Sequence, residues 1–125
     1  MPVRNRILFV DDEPSIRLTL PPVLEQHGFK VKSAGTVSEA LREISGSRYD
    51  VLISDLNLAE NGDGLRVVGA MRKKQPGCVT VILTGYPAFE TAVEALRNRV
   101  DDYVVKPVDV ETLVSSLRRK LAGKS

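Results

Sequence analysis

The chain has 125 residues, 42% of them apolar and 27% charged, a makeup that suits an ordinary globular protein and gives room for one compact domain over residues 1–125 but not for a second. Its formal net charge of +2 and sequence pI of about 8.8 come from lysines and arginines scattered along the chain, so no basic stripe follows a phosphate backbone and no direct nucleic-acid contact is expected. Apolar runs reach only about four residues against the roughly 20 a membrane helix needs, and Met1 to Arg6 lacks an apolar signal core, so the expectation is a cytoplasmic protein without membrane association.

Five β-rich segments recur in chain order, each followed by a stretch with helical periodicity: Ile7 to Val10, Lys30 to Ser33, Val51 to Ser54, Val79 to Leu83 and Tyr103 to Val105. Three are continuous apolar runs, as strands covered on both faces require, and the alternation implies βαβ units around a parallel sheet. In the first helix Pro14 suits the opening turn and Ile16, Leu20 and Leu24 share a face. Pro21 and Pro22 fall inside it, where each removes a backbone donor, so a kink or break is expected there. Thr36 with Glu39 forms a capping box ahead of Ala40, Leu41 and Ile44, and Gly46 closes that helix. Leu65, Val68 and Met71 stripe the third helix, and Phe89, Ala92, Val93 and Leu96 the fourth. Asp109 caps the fifth, whose buried seam is Leu113, Leu117 and Leu121. Cys78 is the only cysteine, which excludes an internal disulfide, fits a reducing compartment and reads as a small core residue.

Ligands of an open parallel sheet bind beyond the carboxyl ends of its strands. Here the first strand ends in Asp11-Asp12-Glu13, the third in Asp55, the fourth in Thr84-Gly85, and the fifth runs into Lys106-Pro107. Carboxylates about 4 Å apart repel by something like 4 kcal/mol per pair at an effective dielectric of about 20, so such a cluster is costly without a cation. An oxygen-lined acidic site suits Mg²⁺, with Mn²⁺ a second candidate, and such a metal neutralises charge building on a phosphoryl group attacked by Asp55. Lys106 adds a mobile positive charge, and Thr84 a hydroxyl donor. Each residue also has a plain alternative: acids complementing a helix dipole, an ordinary strand threonine, a solvated lysine. A carboxylate closing the buried run Val51 to Ser54 needs a partner, however, and the joint pattern favours a site.

Asp11-Asp12-Glu13-Pro14 after Leu8-Phe9-Val10, then Asp55-Leu56-Asn57-Leu58, Thr84-Gly85-Tyr86 and Tyr103-Val104-Val105-Lys106-Pro107 together resemble the receiver domains of two-component response regulators over essentially the whole chain. The resemblance implies an α/β, flavodoxin-like (βα)5 doubly wound parallel sheet with strand order 2-1-3-4-5. It further implies that Asp55 accepts a phosphoryl group from a sensor histidine kinase. Asp12 and Asp55 would bind Mg²⁺ directly, Asp11 through water, and the backbone carbonyl of Asn57 would complete the protein ligands. Thr84 and Tyr103 would form a switch pair, and Lys106 would reach the phosphoryl group beside a cis peptide to Pro107. Phosphorylation adds roughly 1.5 to 2 negative charges and three acceptor oxygens. That draws Thr84 inward and lets Tyr103 turn from a partly exposed to a buried position, changing the surface of the fourth helix, fifth strand and fifth helix. An output domain, a downstream protein or a second copy of the chain are the partners implied for that surface.

The chain departs from the family pattern where Ala59 stands in place of a common proline, and the loop to Gly64 is one residue longer than usual. Asn57 and Tyr86 occupy places that tune the lifetime of the phosphorylated state in this family. His27, the only histidine, is expected to face solvent. Three other readings compete with this one. An aspartyl-phosphate phosphatase or phosphotransferase lacks an acid two residues beyond Asp55, where Asn57 stands. A nucleotide-binding module would need a glycine-rich loop where Asp-Asp-Glu-Pro stands. A pseudo-receiver that binds partners without phosphorylation would not need the full set of site residues. Because the chain ends just past the fifth helix, it is expected to be a stand-alone regulator or the receiver part of a longer one.

Overall fold

A computed structural model describes residues 5–58, 63–85 and 100–123. Its strands are β1 (Arg6–Val10), β2 (Lys30–Ala34), β3 (Val51–Asp55), β4 (Val79–Thr84) and β5 (Asp102–Val105), and its helices α1 (Pro14–Gln26), α2 (Val37–Gly46), α3 (Asp63–Lys74) and a C-terminal helix (Val110–Gly123). Each strand extends one residue past the segment read from the sequence. The fourth helical pattern, Phe89 to Leu96, lies outside the described residues, as do Tyr86 and Ala59 to Gly62.

All strand pairings are parallel and their order is β2-β1-β3-β4-β5. This is the doubly wound, flavodoxin-like arrangement. Alternation across the pleat sends side chains to opposite faces, and the strands fill both. Leu8, Val10, Leu52 and Ile82 pack with Ala40 and Ile44 of α2 and Leu65, Val68 and Met71 of α3, and Cys78 is buried in the same cluster. Ile7, Phe9, Val51, Ile53, Val81 and Leu83 pack on the other face with Leu24 of α1 and Leu113, Leu117 and Leu121 of the C-terminal helix. Leu41 is half-buried and belongs to neither cluster. No helix among the described residues is long and apolar enough to cross a membrane.

The capping box is formed as read: Glu39 N–H donates to the Thr36 hydroxyl at 3.0 Å. At the start of the C-terminal helix the Thr112 hydroxyl donates to the Asp109 carboxylate at 2.8 Å. The break expected at Pro21 and Pro22 is absent, since α1 runs continuously across both. Ile16 and Leu20 before the prolines and Leu24 after them pack on one core cluster. That anchorage, from one fully buried and two partly buried side chains, offsets part of the roughly 3 kcal/mol or more that each helical proline costs. His27, expected to face solvent, is half-buried. Its Nδ1 sits 2.9 Å from the Val23 carbonyl, one of the acceptors that a helix end leaves open.

The turn into α3 is held tightly against the end of β3. Gly64 N–H donates to the Leu56 carbonyl at 2.8 Å, and a Cβ at residue 64 would strike the Asp55 carbonyl oxygen and come within 2.8 Å of Leu56 Cα. Only glycine allows the backbones to approach in this way. Gly64→Ala is therefore expected to destabilise the protein by on the order of 2 to 3 kcal/mol through displaced backbone, read from urea denaturation midpoints. A midpoint equal to the wild type would show that the approach is looser than described.

Candidate functional site

The parallel register brings the polar strand ends together. Val10 pairs with Ser54 and Asp55 with Leu83, so the acids that follow β1 and close β3 meet at one edge of the sheet. Carboxylate oxygens of Asp11, Asp12 and Asp55 all lie within 4.8 Å of one another. Asp11 is fully buried, Asp55 is 7% exposed and Asp12 is exposed.

Lys106, just past β5, faces them. Its Nζ donates to Asp11 Oδ2 at 3.1 Å and stands 3.6 Å from Asp55 Oδ2, and its peptide bond to Pro107 is cis. Asp11 Oδ1 accepts from Glu13 N–H at 2.9 Å. Asp55 Oδ1 accepts a long 3.4 Å bond from Asn57 N–H.

Thr84 closes β4, fully buried, and its carbonyl accepts from Lys106 N–H at 2.8 Å. That bond ties the lysine to the strand end beside Asp55. Tyr103 pairs with Ile82 and Val105 with Thr84, so Tyr103 and Thr84 share a face of the sheet one pleat apart. Tyr103 packs on the core under α2 and α3 and, though the residue is partly exposed, its hydroxyl is buried with no hydrogen-bond partner among the described residues. The structure thus gathers Asp11, Asp12, Asp55 and Lys106 in one cluster, sets Thr84 at its rim, and holds Tyr103 behind it.

The charges do not balance. Burial, and after it the Asp11 charge, pushes the Asp55 pKa from 3.8 up to about 6, against the pull of Lys106 and the Asn57 N–H. Burial works against the Lys106 ammonium, but Asp55 and Asp11 outweigh it and leave its pKa raised. Asp11 and Asp55 share the Lys106 ammonium, Asp12 joins them, and the cluster's ligand atoms are all oxygen, a set that fits a hard divalent cation such as Mg²⁺. The cluster opens into a cleft of about 760 Å³ beside α1, with Asp55, Asn57 and Lys106 at one end and Ile16, Leu20 and Val108 along its wall.

Sequence reasoning missed Arg17. Its Nη1 donates to the Asp11 carbonyl at 2.7 Å, a contact with no local sequence signal because it depends on the path of α1 over the end of β2.

Because the Asp55 pKa of about 6 in the folded chain exceeds its ordinary 3.8, the folded state binds the extra proton between those values. Its contribution to stability is full below about pH 4 and is lost as pH rises through 6, leaving a penalty of up to about 3 kcal/mol near neutrality without metal. Asp55→Asn is therefore expected to raise the thermal midpoint in metal-free buffer at pH 7.5. The gain should shrink steadily between pH 6 and pH 4, and a pH-independent gain would contradict the assignment.

The family model for the response regulator receiver domain matches residues 7–118. Among curated proteins, the regulatory protein AtoC of Escherichia coli (strain K12) is 36% identical over 121 residues, covering 97% of this chain and 26% of AtoC. Among solved structures, a CheY-like receiver domain protein from Methanospirillum hungatei JF-1 matches with TM-score 0.90 and 30% identity, covering 98% of this chain and 97% of that one. A response regulator from Burkholderia pseudomallei, determined with a phosphorylated aspartic acid, calcium ion and citrate, matches with TM-score 0.85 and 29% identity over 95% of this chain and 69% of that one. The chain spans only 26% to 62% of the length of the first curated relatives. With its sheet order, acidic edge and family match in agreement, this chain belongs to the response regulator receiver domain family.

Proposed function

We propose that the chain is a phosphorylation-driven signalling switch whose acceptor is Asp55, and that its covalent chemistry is confined to forming and hydrolysing its own acyl phosphate. The observation that carries this reading is the meeting of Asp11, Asp12 and Asp55 within 4.8 Å beside Lys106. The donor is a phosphohistidine of a sensor histidine kinase. An Asp55 carboxylate oxygen bonds to phosphorus as the P–N bond breaks, and the donor imidazole keeps the electron pair and takes up a proton. Asp11, Asp12, Asp55 and the Asn57 carbonyl would hold Mg²⁺ or Mn²⁺, whose chemistry is to neutralise the phosphoryl oxygens. The phosphorylated aspartic acid and calcium ion of the Burkholderia protein support both halves of this reading.

Lys106 contributes a point charge for one phosphoryl oxygen, and the Thr84 hydroxyl a donor for another. As Thr84 turns toward the phosphoryl group, it vacates space on the face it shares with Tyr103. The Tyr103 hydroxyl, buried with no partner among the described residues, supports a moving ring: a buried polar group left unpaired costs about 1–3 kcal/mol, so a rearrangement that supplies a partner is favoured. The change would be read on the surface of the fourth helix, fifth strand and fifth helix by an output domain, a downstream protein or a second copy of the chain. A protein donor would reach Asp55 through the cleft beside α1, where Ile16, Leu20 and Val108 offer apolar contact. The setting is the cytoplasm, where a kinase and a donor such as acetyl phosphate are both present.

Incubating the chain with acetyl phosphate and Mg²⁺ and measuring intact mass is the direct test. A gain of one phosphoryl group is expected, lost with EDTA and lost in Asp55→Asn. Unchanged mass in the wild type with Mg²⁺ present would overturn the assignment.

A further inference from the structure

Asp11 is anchored at every polar atom. Its N–H donates to the Ala34 carbonyl at 3.1 Å, Oδ1 accepts from Glu13 N–H at 2.9 Å, Oδ2 accepts from Lys106 at 3.1 Å, and its carbonyl accepts from Arg17 Nη1 at 2.7 Å. The last of these crosses open ground. Arg17 reaches back from α1 over the end of β2, past Gly35, where a Cβ would stand 2.9 Å from that same Nη1. The bare Cα of Gly35 leaves that path clear, and a methyl group there would displace the guanidinium tip.

The carbonyl of Asp11 belongs to the peptide unit that joins it to Asp12, and that unit is planar. Holding its oxygen sets the rotation of the plane, and hence the direction in which Asp12 projects its carboxylate. Asp12 is exposed while Asp11 and Asp55 are buried, so packing constrains its side chain least and its backbone constrains it most.

We propose that Arg17 and Gly35 form a latch that aims the Asp12 carboxylate at the cation position, with Arg17 a positioning residue and Gly35 the space it requires. The inference rests on reading the acidic cluster as a divalent-cation site. Charge and aim make opposite predictions here. A guanidinium near the cluster repels a cation, so removing it would tighten Mg²⁺ binding if charge alone mattered, whereas losing the latch weakens it.

The test is calorimetric titration of Mg²⁺ into the metal-free full chain, for wild type, Arg17→Gln, Arg17→Lys, Gly35→Ala and the Arg17→Gln/Gly35→Ala double variant, with the thermal midpoint of each metal-free protein recorded. Arg17→Lys keeps the charge but lacks the planar fork, and Gly35→Ala keeps Arg17 but blocks its path. Each single variant is expected to bind Mg²⁺ about 10-fold more weakly or worse, the usual effect of removing a group that orients a metal ligand. The double variant should bind as Arg17→Gln does to within about twofold, because both changes break one contact.

Equal or tighter binding in Arg17→Gln, additive losses in the double variant, or lowered midpoints with unchanged affinity would each overturn the latch alone. Absence of Mg²⁺ binding in the wild type would overturn the cation reading beneath it. Should Arg17→Gln not fold, Arg17→Lys and Gly35→Ala decide the matter by the same criteria.

Discussion

Mutual repulsion among Asp11, Asp12 and Asp55, only partly offset by the Lys106 ammonium at 3.1 and 3.6 Å, is the interaction around which the rest is arranged. Like charges about 4 Å apart cost something like 4 kcal/mol per pair at an effective dielectric near 20. That is comparable to the whole marginal stability of many small domains, roughly 5–15 kcal/mol. The raised pKa of Asp55 carries a share of that cost, with burial the larger cause and the Asp11 charge the next. Every ligand atom the cluster offers is a carboxylate oxygen, a set whose chemistry fits a hard divalent cation.

The fold provides the rigidity that this requires. Strands β1, β3 and β4 are buried on both faces, and their register fixes how far each strand end projects. The acids are therefore held by a packed sheet, and the close approach at Gly64 ties the loop beyond Asp55 to the start of α3. The same parallel ladder that stacks Val10 beside Ser54 and Leu83 beside Asp55 leaves little freedom for the carboxylates to move apart.

Much of this was legible in the sequence, for a physical reason. A parallel strand covered on both faces is an unbroken apolar run, so the polar residue that ends it marks the edge where a site can form. Asp11, Asp55 and Thr84 were visible in that way, and Lys106 by its place after the partly covered β5. Strand order was not, because apolar periodicity identifies strands without ordering them, and it came through family resemblance. The contacts that hold the site in shape were also hidden. Arg17 to the Asp11 carbonyl, the bare Cα of Gly35 beneath it and the clash awaiting a Cβ at Gly64 depend on how separate segments cross. Local reasoning allowed a break at Pro21 and Pro22 that does not occur, because packing on both sides carries the helix through.

Those prolines leave α1 with a property that few helices have. Leu18 precedes Pro21 by three positions and Pro22 by four, and neither carries an N–H, so its carbonyl receives none of the backbone donors that a helix normally supplies. Leu18 is also 76% exposed, which places this acceptor beside the largest exposed apolar side chain on the helix. The outer wall of α1 thus sets an exposed leucine on a turn short of two backbone donors, so that stretch of helix leans on its buried face more than on its own ladder.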